Sequence, residues 1–321
     1  MDKNILKESN YSINKAVKYL NCGKLVAIQT ETVYGVACNP GNIKSIKKLY
    51  ELKQRPAFNP LIIHVNSFKM VEEIAYADKF SRLVMEKFWP GPLTLILHRK
   101  KSNLIHDFAI SGLETIAIRM PRSKVLNNIL LRFRKPIAAP SANESGYVSA
   151  TDAQHVIDSF GKKIDLIINS GRSFYGLEST ILDTTSKPFE IKRLGVIDNQ
   201  KIENLTGIKI NPFQFKSKDN NIKPNSPGQM LKHYSPITPL KINVLKPKHN
   251  DAFLNFGTKI FIHHKPSLNL SKKSNLDEAA YNLFDYLRKL DKLNKSRIAV
   301  APIPNKGIGK TINERLHRAS I

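Results

Sequence analysis

Two cations stand one residue apart in LYELKQRPAFNPLIIHV (49–65): Lys53 and Arg55. Pro56 disfavours the helical region for Arg55, so the pair sits on a stiff turn between a helix and a strand. Such a turn makes an anion clamp. Asn59 follows, and then the strand that carries His64. A solvated basic turn is the competing reading, and for this segment alone the better one, because short basic motifs are common. GLETIAIRMP (112–121) gives a firmer geometric argument. Alternate side chains of a strand share a face, so Thr115, Ala117 and Arg119 line one side while Ile116 and Ile118 line the other. At ~3.3 Å per residue, Thr115 and Arg119 lie about 13 Å apart. A hydroxyl and a guanidinium at that spacing, with a methyl between them, suit the two ends of a bipartite ligand.

Other segments place hydroxyls beside glycine or proline. TETVYGVA (30–37) sets Thr30 and Thr32 ahead of Gly35, where a ligand can lie against backbone; a polar strand-to-loop turn is the plainer reading. PIAAPSANESG (136–146) carries Ser141 and Asn143, turn formers whose neutral donors suit phosphate or ribose oxygens. Ser141 lacks the G-x-S-x-G setting of a nucleophile elbow and is not read as a nucleophile. GRSFYGLESTILD (171–183) brings Ser179 and Thr180 into a strand, and Arg193 ends another. GIGKTI (307–312) imitates a P-loop, but the required first glycine is Pro304, which has no N–H for a phosphate. It reads as the start of the last helix. No metal-ligand spacing is present, so any Mg²⁺ arrives with a nucleotide's phosphates.

The elements that must position these groups alternate between helix and strand. Ile13, Ala16, Val17 and Leu20 predict an amphipathic helix capped by Ser12. KLVAIQT (24–30), LIIHV (61–65), LTLIL (93–97), TIAIR (115–119), PIAAP (136–140), DLIIN (165–169), STILD (179–183) and FEIKR (189–193) read as strands. Helices are expected from Ile43 to Tyr50, from Ser67 to Ile74, over 79–88, over about 122–133 and over 151–160. The fold class is α/β with a twisted mixed sheet. Residues 206–240 are polar and aperiodic, a linker or lid. KIFIHH (259–264), a helix over 276–293, RIAVAPIP (297–304) and a helix over 310–320 then predict a small Rossmann-like α/β domain. The expected organisation is 1–205, 206–240 and 241–321.

With 321 residues the chain has about two domains' worth of sequence, and 41% apolar with 24% charged residues is ordinary for a globular protein. No run reaches the ~18–20 apolar residues of a membrane span. The N-terminus has no apolar signal core. Two cysteines cannot build a disulfide framework, and the expected compartment is a reducing cytoplasm. The net charge is +25, most of the 51 basic residues are lysine, and the excess is spread along the chain. Such a field attracts phosphorylated ligands and argues only weakly for nucleic acid, whose readers lean on arginine forks.

Taken in order, TETVYG (30–35), KQRPAFNPLIIHV (53–65), FWPGPLTLIL (88–97), TIAIRMP (115–121), APSANESG (139–146), GLESTILD (176–183), IKRLG (191–195), SPGQMLKHYSP (226–236) and NERLHRAS (313–320) resemble the YrdC-like threonylcarbamoyl-AMP synthases in their two-domain form. The resemblance covers almost the whole chain. It implies a YrdC-like catalytic domain and a reaction in which L-threonine, bicarbonate/CO₂ and ATP give threonylcarbamoyl-AMP and pyrophosphate. Separate transfer proteins then modify the tRNA adenosine beside the anticodon. By resemblance, Thr32, His64, Arg119, Ala139 (through its backbone) and Ser179 hold threonine. Arg55, Asn59, Thr115, Ser141, Ser149, Arg193 and Tyr234 contact ATP, and Lys53, Arg55, Ser141 and Asn143 face the phosphates. Mg²⁺ is expected with ATP, and no general base is assigned. The linker, with Tyr234 near its end, is expected to act as a lid. The alternative is a non-enzymatic RNA-binding protein using a basic concavity; a weak RNA contact is compatible with either. A hydrogenase-maturation carbamoyltransferase, which shares the domain, needs Cys-rich zinc modules that two cysteines cannot supply.

Overall fold

The computed structural model describes residues 4–214, 233–258 and 264–321. The chain opens with β1 (Ile5–Lys7), α1 (Asn10–Asn21), β2 (Val26–Gln29), β3 (Tyr34–Ala37), α2 (Ile43–Lys53), β4 (Ile62–His64), α3 (Phe68–Glu72), β5 (Ala75–Tyr76) and α4 (Lys79–Phe88). It continues through β6 (Leu93–Arg99), β7 (Thr115–Arg119), α5 (Lys124–Phe133), β8 (Ile137–Ala138), α6 (Ala153–Phe160), β9 (Leu166–Asn169), β10 (Thr180–Asp183), β11 (Phe189–Arg193), α7 (Asn199–Thr206) and β12 (Ile210–Asn211). The last part holds β13 (Leu240–Lys241), β14 (Asp251–Asn255), β15 (Ser267–Asn269), α8 (Leu276–Asp291), β16 (Arg297–Val300) and α9 (Ile308–Ala319).

The large sheet has the order β12-β11-β10-β6-β7-β4-β8, with β5 beside β6, and mixes parallel and antiparallel pairs. A smaller sheet, β1-β9-β2-β3, is joined to it through the bridges Gly35–Ser141 and Cys38–Ala138. Register decides what each face does. Ile62 pairs with Ala117, and Ala117 with Ile96, so these residues stand in one row. With Ile181 they make a small apolar cluster of their own. The alternate residues Ile63, Leu95, Leu97, Ile116, Ile118 and Leu182 point the other way, into the main core. His64 is registered with Arg119, so both lie on the face of the small cluster. The isoleucine face anchors the strands, at about 1.5–3 kcal/mol per fully buried large side chain, and leaves the opposite face for polar work.

The third sheet is wholly parallel, with the order β13-β16-β14-β15. It packs with α8 and α9 around Phe253, Leu283, Phe284, Ile298 and Leu316. Val33, Val148 and Leu177 of the first part are buried in this same cluster, so the seam between the two parts is apolar. Arg288 of α8 reinforces the seam by donating to the backbone oxygens of Val148 (2.5 Å), Ser149 (3.3 Å) and His155 (3.4 Å).

Some sequence expectations shift. The cap of α1 is Ser9, not Ser12. Ser12 occupies the third helical position and exchanges hydrogen bonds with Ser9 in a capping box. Asn10 and Tyr11 are helical before the apolar periodicity begins, which put the expected start too late. The run YGVA, expected as a turn, forms β3. It pairs antiparallel with β2 and is buried throughout, so it lacks the alternation that marks a half-exposed strand. In the last part, β13, β14 and β15 were not anticipated. The strand expected over 259–264 lies outside the described residues apart from His264, and SPGQMLKHYSP lies outside them apart from 233–236. Beyond residue 205, Ile210 and Asn211 still pair with β11.

Candidate active site

The strand ends of the large sheet, the β2–β3 turn and the segment after β8 surround a cleft. Its walls include Thr30, Thr32, Gly35, Arg55, Ile62, Arg119, Ala139, Ser141, Glu178, Ser179, Arg193, His233 and Tyr234. Arg119 ends β7 and is 4% exposed. Its Nε donates to the Gly91 carbonyl (3.2 Å) and its Nη1 to Thr32 Oγ1 (2.9 Å), while Nη2 lies 2.6 Å from Glu31 Oε1. A guanidinium has five N–H groups; Nε and Nη1 each spend one on a hydrogen bond, and Nη2 faces Glu31 as an ion pair without one, so donors remain for a ligand. Gly91 belongs to the Trp-Pro-Gly-Pro turn, where a Cβ would meet the Phe88 carbonyl oxygen at 2.3 Å. Thr32 is fixed by Thr30, whose Oγ1 lies 2.8 Å from Thr32 Oγ1 and donates to the Val33 carbonyl (2.6 Å).

At the other end of the cleft Arg193 ends β11. Its Nε and Nη2 donate to the Ser179 carbonyl (3.1 and 2.9 Å), and Nη2 also reaches Ser179 Oγ (3.0 Å). Gly195 makes this approach feasible, because a Cβ there would sit 2.1 Å from the Thr180 nitrogen. Arg55 is half-buried and folds back onto its own loop, donating to Asn59 O (3.0 Å), Asn59 Oδ1 (2.7 Å) and Pro60 O (2.7 Å). Asn59 thus orients Arg55 and is not itself part of the cleft wall.

Several expected residues stand behind the wall. Lys53 is buried at the end of α2; its Nζ donates to the carbonyls of Ser141 (2.5 Å) and Asn143. It ties down the Ser-Ala-Asn segment from beneath. The Asn143 amide donates to Glu144 O (2.7 Å) and Tyr147 O (2.9 Å). Ser149 Oγ donates to Glu178 Oε1 (2.5 Å). The Ala139 N–H is bonded to Ile62 O (3.2 Å). His64 is buried beside Arg119 and is not on the wall, and its Nδ1 has no partner among the described residues. Thr115 is placed four residues down the strand, opposite His98 and away from the cleft wall. Strand alternation does put Thr115 and Arg119 on one face, as expected.

Tyr234 and His233, just inside the described part of the linker, complete the wall. Tyr234 is 1% exposed and takes a positive φ of 64°. Its ring stacks on Phe284 at 5.6 Å, and the Arg315 guanidinium lies 4.7 Å from its ring centroid. His233 meets it edge-on at 4.0 Å. The residues the sequence reading missed here are Glu178, His233 and Arg315, together with Glu31 as the buried partner of Arg119. Glu178 and Arg315 lay inside quoted motifs. A charged residue three positions from Ile312, on the buried face of the last helix, was the available signal for Arg315.

The charges explain the chemistry. Burial holds the Lys53 ammonium well below the usual lysine range, and neighbouring Arg55 adds to this. Burial likewise lowers Arg193, with Arg315 and Arg119 among the nearby cations that oppose its charge. Burial, with Arg119 next, pulls His64 down to about 3, so its imidazole is neutral at physiological pH. That value is too low for an efficient general base, which works best near the operating pH. Cations crowded together with few counter-charges favour bound anions. Glu178 is the wall's carboxylate, and it is already held by Ser149 and by Arg315 Nε (3.0 Å). Among the described residues, no cluster of possible metal ligands lies in the cleft. A group of possible metal ligands among the described residues, Asp152, His155 and Asp285, lies elsewhere, with Arg172 and Lys289 paired to Asp285.

A cationic cleft on a mixed α/β sheet, backed by a second α/β unit, is the kind of site an enzyme uses to hold anionic groups of its substrates. Residues 18–195 match the Sua5/YciO/YrdC family model, described as telomere recombination, and residues 197–320 match the model for the C-terminal domain of threonylcarbamoyl-AMP synthase. The chain belongs to the threonylcarbamoyl-AMP synthase family. It is 34% identical to the threonylcarbamoyl-AMP synthase of Pyrococcus abyssi, over 97% of this chain and 94% of that one. It is 33% identical to the Bacillus subtilis enzyme of the same name, over 98% and 94%. The crystal structure of P. abyssi Sua5 complexed with L-threonine superposes with a TM-score of 0.89 at 32% identity, covering 99% of this chain and 96% of that one.

Proposed function

We propose that the chain makes L-threonylcarbamoyl-AMP and pyrophosphate from L-threonine, bicarbonate-derived CO₂ and ATP. The threonine amine adds to CO₂ with loss of a proton, giving a carbamate. A carbamate oxygen attacks the α-phosphorus of ATP, and the bond to the pyrophosphate leaving group breaks. The observation that carries this reading is Arg119: a buried guanidinium at the cleft wall with N–H groups left over, matched to a carboxylate by a bidentate fork. Thr32 and Ser179 flank the amino-acid end. Arg55, Arg193 and the Ser141 segment supply positive charge and donors for the triphosphate. Lys53 and Asn143 act from beneath by fixing that segment.

Positioning and charge neutralisation, not covalent help, carry the reaction. Mg²⁺ belongs with the nucleotide substrate, carried on its phosphate oxygens. The carbamate is unstable in water, and Tyr234 and His233 support the reading of the linker as a cover that excludes it. The product then passes to separate threonylcarbamoyl-transfer proteins acting on the tRNA adenosine beside the anticodon, and the net charge of +25 supports a weak RNA contact during that handover. Free thiols at Cys22 and Cys38 fit a cytoplasmic setting. Among the described residues no helix is long and apolar enough to cross a membrane.

The test is pyrophosphate release from ATP with threonine and bicarbonate added separately and together, with the adenylate identified by mass. Release that requires both supports the reading. Release indifferent to threonine refutes it.

A further inference from the structure

Helix α9 reaches the cleft from behind through Arg315 and Thr311. Arg315, 1% exposed, is the largest of the fully buried side chains. Its Nε donates to Glu178 Oε2 (3.0 Å) and its Nη2 to the Leu194 carbonyl (2.6 Å), the residue after Arg193. Its guanidinium lies 4.7 Å from the Tyr234 ring centroid. Nη1 is paired with Glu314, which also takes Arg318. One turn earlier, Thr311 Oγ1 donates to the Gly195 carbonyl (2.8 Å). One planar group thus touches a wall carboxylate, the backbone beside a wall arginine and the ring of a wall tyrosine. An apolar residue would serve packing there at lower desolvation cost.

We infer that Arg315 is a positioning residue for the nucleotide end of the cleft, through which the C-terminal domain sets the placement of Tyr234 and of the Arg193 segment. The inference rests on reading Tyr234 and Arg193 as nucleotide contacts. The guanidinium fits because it is flat enough to lie against an aromatic face while its edges donate in two directions. An ammonium offers a point charge and cannot meet all three partners. At the amino-acid end Arg119, Thr32 and Gly91 make no hydrogen bond to α9 among the described residues, and Ser179 is reached from α9 through Glu178 and Arg193, so threonine binding responds less than ATP binding.

The experiment is a double-mutant cycle on the full chain, with Arg315→Lys, Tyr234→Leu and both together, reading KM separately for ATP and threonine. Arg315→Met serves as a stronger variant, with its fold checked by thermal melting, and Arg315→Lys keeps the charge beside Glu178 so that the fold survives. The expected result is a KM for ATP raised about tenfold in each single variant, no further rise in the double, and a threonine KM within about twofold. A wild-type KM for ATP in Arg315→Lys, equal changes for both substrates, or additive effects in the double would each overturn the inference. If Tyr234→Leu alone leaves the ATP KM unchanged, the nucleotide reading of Tyr234 fails, and the inference fails with it; if only the Arg315 variants are silent, the inference fails and that reading stands.

Discussion

Arg119 shows how one side chain serves folding and chemistry together. Two of its N–H groups are committed to Gly91 and Thr32, and Glu31 is ion-paired with Nη2; together they hold the plane of the group before any ligand arrives. Removing it outright would leave the Glu31 carboxylate buried without its cation, at roughly 3–5 kcal/mol. The cleaner substitution is Arg119→Lys, which keeps a charge and loses the fork. Its KM for threonine should rise by roughly 10–100-fold, the size of one lost charge-assisted hydrogen bond, while the KM for ATP stays near wild type in the same pyrophosphate-release assay. A parallel rise in both would contradict the division of the cleft. His64 makes a different prediction. Its folded-state pKa of about 3 lies below the unfolded value of 6.5, so the unfolded chain binds more protons between those limits. Stability therefore holds above about pH 6.5 and falls as pH drops below it, by roughly 1–2 kcal/mol at pH 5. His64→Gln should flatten the decline of melting temperature between pH 7 and pH 5; an unchanged slope would show that His64 does not carry it.

At the scale of elements, strand alternation was the most legible signal. TIAIR is a strand over the expected residues, and its register with Ile62 and Ile96 accounts for a face where only small and apolar side chains separate the polar ends. Lys79–Phe88 and Phe189–Arg193 also form where the pattern placed them. Patterns failed where burial is two-sided or elements are short. Tyr34–Ala37 is buried at every position, and Leu240–Lys241 is too brief to show a period. Site residues were legible when they stood on strands or beside Pro and Gly. Contacts made from behind were not: nothing local to Lys53 says that its ammonium ends on two carbonyls nearly ninety residues away. The turn after β11 gives an element-scale test. Gly195→Ala must displace the Thr180 backbone, costing roughly 1–3 kcal/mol of overpacking, and should lower activity along with melting temperature. Gly207→Ala, whose Cβ would meet nothing within 4 Å, pays only for its φ of +70°, about 1–2 kcal/mol. It should melt earlier while keeping wild-type turnover. Equal activity in the two variants would mean that the Gly195 approach does not shape the cleft.

Over the whole molecule, the two parts meet at an apolar seam that takes in Val33, Val148 and Leu177 and is laced by polar groups. Tyr147 donates to Asp291 (2.8 Å), the Thr238 and Ile237 N–H groups bond the same carboxylate, and Arg288 satisfies backbone oxygens of the first domain. The wild-type chain should unfold in one calorimetric transition. Arg288→Met strands several buried carbonyls, each at about 1–3 kcal/mol, and should split or broaden the transition. A single sharp endotherm at the wild-type temperature would argue that the seam contributes little. The seam also bears on function, since the cleft has walls from the large sheet, from the linker's end and, indirectly, from α9. The shared cleft itself is tested most directly by a crystal structure with L-threonine and a non-hydrolysable ATP analogue bound together. The expected result is the threonine carboxylate within about 3 Å of Arg119, the phosphates beside Arg55, Arg193 and Ser141, and the amine turned toward the α-phosphorus. Threonine seated away from Arg119, or the triphosphate outside the cleft, would contradict it.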